Sequence, residues 1–358
     1  MRLDRIPWLE QGPLARLLAV LDCTGEEARV VGGAVRNVLL GEPIGDIDVA
    51  TTARPEEVTR RTQAAGFRAV PTGIAHGTIT VVIEGRPFEV TTLREDVETF
   101  GRKARVVFGR DWKKDAERRD FTMNALFASR DGRVHDYVGG LDDLKARRVR
   151  FIGDPRARIA EDYLRILRFF RFHAAYGEGA LDPAGLAACI AGRAGLATLS
   201  RERVRVELLK LMPAPQAVAT LAVMAETGLL VTVLGGLPLL SSFAAVGQCE
   251  RTAGLAPDAV RHLGALAVQV EEDAVRLGER LRLSNAEQNR LALMAAHWRA
   301  VSPGADRAMR ALLYRLGPDA FVDAVLLSWS RSPERATGDQ WLALMALPQH
   351  WIIPVFPL

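Results

Sequence analysis

A chain of 358 residues is too long for one small core and points to two or three domains. With 49% hydrophobic and 25% charged residues it is neither disordered nor fibrous in composition, and a formal charge of +4 permits a polyanionic partner without demanding one. Cys23, Cys189 and Cys249 lie far apart with no C-x-x-C, which argues against a disulfide framework or a zinc site and for free thiols in a reducing cytosol.

The N-terminal "MRLDRIPWLEQGPLARLLAVL" is broken by Glu10, Pro13 and Arg16 and does not make a secretory signal. "ARVVGGAVRN" runs from a short apolar strand through a Gly-Gly turn into a helix, and "IGDIDVAT" alternates as a strand. "HGTITVVIEG" and "RPFEVTTLR" are β-branched runs joined by a Gly-Arg-Pro turn, as in a hairpin. The next stretch, "REDVETFGRKARVVFGRDWKKD", is charged and lacks apolar periodicity, so a surface loop is expected. "RVHDYVGG" reads as a last strand ending in a Gly-Gly break. From about residue 146 the strand signals fade and Ala- and Leu-rich helical patterns follow, punctuated by Pro213, Pro215, Gly264, Pro303 and Gly317. The uncharged run Thr227 to Gln248 is interrupted by Gly235, Gly236 and Pro238, which favours a pair of buried helices over a membrane span. The fold expected is an α/β head of residues 1–145, an all-α neck of 146–212 and an all-α body of 213–358.

Three clusters carry chemistry. Asp46 and Asp48, two apart on a strand, point their carboxylates to one face. Two like charges so close are costly without a counter-cation, and hard divalent ions with oxygen ligands resolve the repulsion. Upstream, Gly32 and Gly33 let the backbone approach an anion at a helix N-terminus, and Arg36 lies one turn in, where it could add a bond to phosphate. In "AERRDFTMNALF", Arg118 and Arg119 suit a triphosphate. Asp120 can accept from a ribose hydroxyl, and Asn124 shares its side if the segment is helical.

The third cluster is "EDYLRILRFFRF", read as one helix. Asp162 and Arg165 then sit about 60° apart around its axis, with Arg171 about 180° from Asp162. An ionised Asp only accepts hydrogen bonds and an Arg only donates. Cytosine and adenine both present an amino donor beside a ring-nitrogen acceptor, whereas guanine and uracil put a carbonyl there. A fixed Asp–Arg pair therefore accepts C and A and leaves G and U with unpaired polar groups. A salt-bridge ladder is the alternative.

This ordered set, over residues 28 to 212, resembles the class II tRNA nucleotidyltransferase and bacterial poly(A) polymerase family, within the polymerase-β-like nucleotidyltransferases. The resemblance implies that Asp46 and Asp48 hold two Mg2+ ions, joined by Glu89 from a neighbouring strand. An ion pair of Glu89 with Arg86 or Arg94 stays open as the alternative. It implies ribose and triphosphate contacts from Arg118, Arg119, Asp120 and Asn124, base reading by Asp162 and Arg165, and recurring arginines at Arg168 and Arg171. "REDVETFGRKARVVFGRDWKKD" resembles the family's flexible loop, and "DYVGGLDDL" its hinge, with a plain turn equally open. "LSRERVRVELLKLM" resembles the helix that supports the template helix. Related chains continue past a segment like "HWIIPVFPL" into a further helical tail.

The activity implied is template-independent addition of C, C and A to a tRNA 3′ end from CTP and ATP, in the cytoplasm, with no membrane and no obligatory protein partner. A poly(A) polymerase or a CC- or A-adding enzyme shares every one of these motifs. A non-catalytic RNA-binding protein and a nucleotidyltransferase for small molecules are the rivals from other classes.

Overall fold

The computed structural model describes residues 1–3, 6–74, 77–100, 103–332 and 337–351, with backbone alone over 95–106. Contacts group the chain into two units, residues 1–165 with 176–189 and residues 166–175 with 190–358. The expected neck, 146–212, is divided between them.

The first unit is built on a seven-stranded mixed sheet in the order β3-β4-β5-β2-β1-β8-β9. Its strands are β1 (Ala28–Val31), β2 (Asp48–Thr51), β3 (Arg68–Gly73), β4 (Thr78–Ile83), β5 (Arg86–Thr92), β8 (Leu126–Ser129) and β9 (Val134–Asp136). β1 is buried along its whole length, which its unbroken Ala-Arg-Val-Val run allows only at the sheet centre. β4 alternates half-buried and buried, as its β-branched period of two requires. The hairpin between β4 and β5 turns at Glu84–Gly85, both at positive φ, and Ile83 pairs with Arg86. The turn is thus one step earlier than the Gly-Arg-Pro expected, because a two-residue hairpin turn needs two left-handed residues and Pro cannot be one.

Two registers fix the place that matters. β1 and β2 are antiparallel with Val31 opposite Asp48, and β2 and β5 are parallel with Asp48 opposite Glu89. The end of β1, the start of β2 and the middle of β5 therefore meet at one place.

The expected loop is largely a second, two-stranded sheet, β6 (Arg94–Phe100) with β7 (Lys103–Phe108). Residues 101–102 and the side chains of 95–106 lie outside the described residues. Charged and apolar residues are mixed along both segments without strict alternation, so the sequence carries no strand period.

At Gly139–Gly140 the structure has a tight turn. The Asp136 carboxylate accepts from the N–H groups of Val138, Gly140 and Leu141. A Cβ on Gly140 would stand 2.2 Å from the Thr122 carbonyl oxygen. That close approach admits no side chain.

The second unit is helical. The uncharged run becomes two helices, Leu229–Leu234 and Leu240–Thr252, with Gly235 at φ 70° between them and Leu229, Leu230, Leu234 and Val246 buried. Among the described residues no helix is long and apolar enough to cross a membrane. A buried ion network ties its helices. Arg261 donates to Glu250 at 2.6 Å and to Asp323 at 2.8 Å, Arg290 also grips Asp323, and His262 sits 2.6 Å from Glu250 and 3.0 Å from the Met212 carbonyl. Cys23, Cys189 and Cys249 are free thiols. The segment after Trp351, including most of "HWIIPVFPL", lies outside the described residues.

Gly140→Ala should lower unfolding stability by about 1–3 kcal/mol, the usual cost of forcing an added methyl into packed backbone. Chemical denaturation against the wild type reads it, and an unchanged midpoint would show that the turn can open.

Candidate functional site

Asp48 opens β2, and Asp46 lies in the extended segment before it, so the two do not share a strand as expected. Partial desolvation first, then the charges of Glu89 and Asp46, lift the Asp48 pKa above its ordinary 3.8 against the opposing pull of Arg119. Asp48 thus feels Glu89, Arg119 and Asp46. The donor set, three hard carboxylate oxygen groups in mutual repulsion, fits a divalent cation such as Mg2+ in charge and chemistry. Among the described residues no three acids, histidines or cysteines stand close enough to close a metal shell, so the fit does not extend to distance.

Beside them β1 ends at Val31 and the helix Gly33–Leu40 begins. Gly32, at φ 72° and ψ −122°, adopts a backbone closed to L side chains. A Cβ there would lie 3.6 Å from the Asn124 carbonyl and 3.9 Å from an Arg119 nitrogen. The turn therefore presents helix N–H groups and the Arg119 guanidinium to the same side.

Arg36 lies beside that turn, its guanidinium 3.6 Å from where a Cβ on Gly33 would stand. It is 6% exposed, donates to Asn124 Oδ1 at 2.5 Å and to the Tyr176 hydroxyl at 2.8 Å, and lies 3.9 Å over the Tyr176 ring.

Arg118 and Arg119 are held by an acid that sequence reasoning passed over. Asp115, 1% exposed in its side chain, pairs with Arg118 at 2.7 Å and Arg119 at 2.9 Å. Burial alone would raise its pKa, but Arg119 and Arg118 outweigh it and hold the carboxyl below 3.8. The i, i+3, i+4 spacing of "DAERR" was the available signal. The segment is no single helix: Trp112–Glu117 ends, a 3-10 turn covers Thr122–Asn124, and β8 follows. Asp120 and Asn124 still meet, with the amide donating to the carboxylate at 3.3 Å.

"EDYLRILRFFRF" is likewise two helices. Pro155–Glu161 ends, Asp162 is extended at φ −155°, and a new helix runs Leu164–Tyr176. The Asp162 carboxylate accepts from the Leu164 N–H at 3.1 Å, a helix N-cap, so the 60° relation to Arg165 does not hold. Arg165 pairs with Glu161 and donates to the Arg158 carbonyl at 2.7 Å. Arg168 and Arg171 belong to the other unit by contacts, and both turn to Glu207 of the helix Arg201–Leu211, at 3.7 Å and 2.7 Å. Glu161 was missed although its i−3 and i+4 spacing to Arg158 and Arg165 was an available signal, and Glu207 because its partners Arg168 and Arg171 lie far along the chain.

A family model described as the poly A polymerase head domain matches residues 28–150, and one described as a probable RNA and SrmB-binding site of polymerase A matches residues 180–242. The human mitochondrial CCA tRNA nucleotidyltransferase 1 is 36% identical over 345 residues, 93% of this chain and 76% of the relative. The zebrafish (Danio rerio) enzyme of that name is 43% identical over 266 residues, 74% of this chain but only 61% of the relative's length. The crystal structure of the Bacillus stearothermophilus CCA-adding enzyme in complex with CTP superposes with a TM-score of 0.75 at 30% identity, over 93% of this chain and 80% of that one.

Because the folded-state pKa of Asp115 is depressed, its stabilisation is full above 3.8 and is lost as pH falls below it. Asp115→Asn should cost about 3 kcal/mol at neutral pH and make the acid limb of the stability curve shallower. A variant whose acid limb matches that of the wild type would contradict this.

Proposed function

Since the chain belongs to the CCA tRNA nucleotidyltransferase family, we propose that it adds C, C and A to tRNA 3′ ends from CTP and ATP without a nucleic-acid template. The observation that carries the proposal is the register that brings Asp48 opposite Glu89, next to the Gly32–Gly33 turn and Arg119. In this reading the tRNA 3′-oxygen bonds to the α-phosphorus and pyrophosphate leaves. Asp46, Asp48 and Glu89 would hold two Mg2+ ions, which supply activation of the 3′-hydroxyl and neutralisation of the leaving pyrophosphate. The turn at Gly32–Gly33 gives backbone donors to the triphosphate, and Arg118 and Arg119, preset by Asp115, add charge-assisted bonds. Asp120, steadied by Asn124, accepts from the ribose. Asp162 and Arg165 read the amino and ring-nitrogen edge that C and A share. Free thiols support a reducing compartment, read as the cytoplasm.

Incubation with tRNA lacking its terminal trinucleotide, with CTP and ATP supplied singly and together, tests the activity. C addition from CTP alone and completion only with both nucleotides is expected. Long A tails with no C incorporated would give the chain to poly(A) polymerases instead. Asp48→Asn should cost more than the roughly 100-fold that losing an outer-shell partner of a metal costs.

Base reading has its own test. Asp162→Asn keeps the helix cap, since Asn caps as well as Asp, but adds an amide donor that suits the carbonyl of U or G. Use of UTP relative to CTP should rise at least about tenfold. A ratio that does not move would sink base reading by Asp162.

A further inference from the structure

The two halves of the nucleotide site proposed above are joined through one buried cation. Arg158, with 12% of its side chain exposed, donates from a single Nη2 to the peptide carbonyls of both Arg118 and Arg119. Its other terminal nitrogen pairs with both oxygens of Glu161, at 3.0 Å and 2.9 Å. The same Glu161 holds Arg165, and Arg165 closes the loop by donating to the Arg158 carbonyl at 2.7 Å. The helix that carries Arg158 is brought there by backbone: Phe121 bridges Phe151, the Thr122 N–H donates to the Arg150 carbonyl at 3.0 Å and the Ile152 N–H to the Asp120 carbonyl at 3.1 Å. Every contact in this chain lies within the first unit.

Nothing in the packing demands so much cation here. Arg158 and Arg165 share one carboxylate, and burial and the Arg165 charge both press on the Arg158 guanidinium. The Arg158 Nε is buried with no hydrogen-bond partner among the described residues. A buried donor left without a partner is a desolvation cost that an apolar side chain in its place avoids, and such costs collect where geometry serves function.

We propose that Arg158 is a positioning residue that locks the Arg118–Arg119 backbone to Glu161 and hence to Arg165, so that triphosphate contact and base choice are set as one rigid piece. The inference rests on the nucleotide-reading role given to these residues above. A planar guanidinium can serve two carbonyls and a carboxylate at once; an ammonium cannot hold that fork. Loosening the lock therefore blurs base choice as well as weakening binding.

The test uses the intact chain as wild type, Arg158→Lys and Glu161→Gln. It measures Kd for CTP, ATP and UTP by calorimetry, kcat and KM for C and A addition, and the melting temperature. Arg158→Lys should weaken CTP and ATP about tenfold and cut the preference for CTP over UTP about tenfold. Glu161→Gln should cut the preference while changing CTP affinity less. A drop in melting temperature with preference intact in both variants marks a purely structural arginine and overturns the proposal. If Arg158→Lys does not fold, Glu161→Gln decides alone, and wild-type preference in it overturns the proposal. A wild type that adds neither C nor A to tRNA sinks the underlying activity instead, while the calorimetric preferences still judge the lock.

Discussion

The pairing that sets Asp48 opposite Glu89 between two interior strands of the sheet is the constraint on which the candidate site depends. Asp48 is placed beside Glu89 by a parallel register and beside the end of β1 by an antiparallel one. β5 cannot slip by one residue without turning the buried Phe88 and Val90 to the face on which Glu89 is exposed. The burial of those two side chains thus fixes the register that sets Glu89 opposite Asp48. Relief of the repulsion between the acids comes from cations, and the residues at the site supply or invite them: Arg119 by its charge, the carboxylates by their hard oxygen donors.

A second device recurs, one sheltered acid gripping two arginines. Asp115 holds Arg118 and Arg119, Glu161 holds Arg158 and Arg165, and Glu207 holds Arg168 and Arg171. An unheld arginine loses about 2 kcal/mol of rotamer entropy when a ligand fixes it, whereas a guanidinium already braced by a carboxylate has lost it on folding. The cost is desolvation of the acid, which two cations share in offsetting. In the second unit the same arithmetic holds helices together: Asp323 is gripped by Arg261 and Arg290, and Glu250 by Arg261 and His262.

What was legible in the sequence follows from the range over which each interaction acts. Period-two runs exposed β4 and β5, and Gly-Gly exposed the β1-to-helix turn, because those signals are local. The family resemblance was confirmed by relatives across most of the chain. The tie of Arg36 to Tyr176 was not legible because the two are 140 residues apart. The break at Asp162 was invisible because apolar periodicity continues through it, and only the cap bond to Leu164 marks a new start. The ribbon of β6 and β7 escaped notice because its charged and apolar residues do not alternate in sequence. Asp115 and Glu161 could have been read from their spacing to two arginines each; Glu207 could not have been weighed until the fold was known.

The central claim is that the carboxylates at the β2–β5 pairing form a site for hard divalent cations. Titration of the intact chain with Mn2+, followed by electron paramagnetic resonance and run beside Asp48→Asn, tests it most directly. The account predicts saturable binding that the substitution weakens at least about tenfold. Equal binding by the two proteins would contradict it.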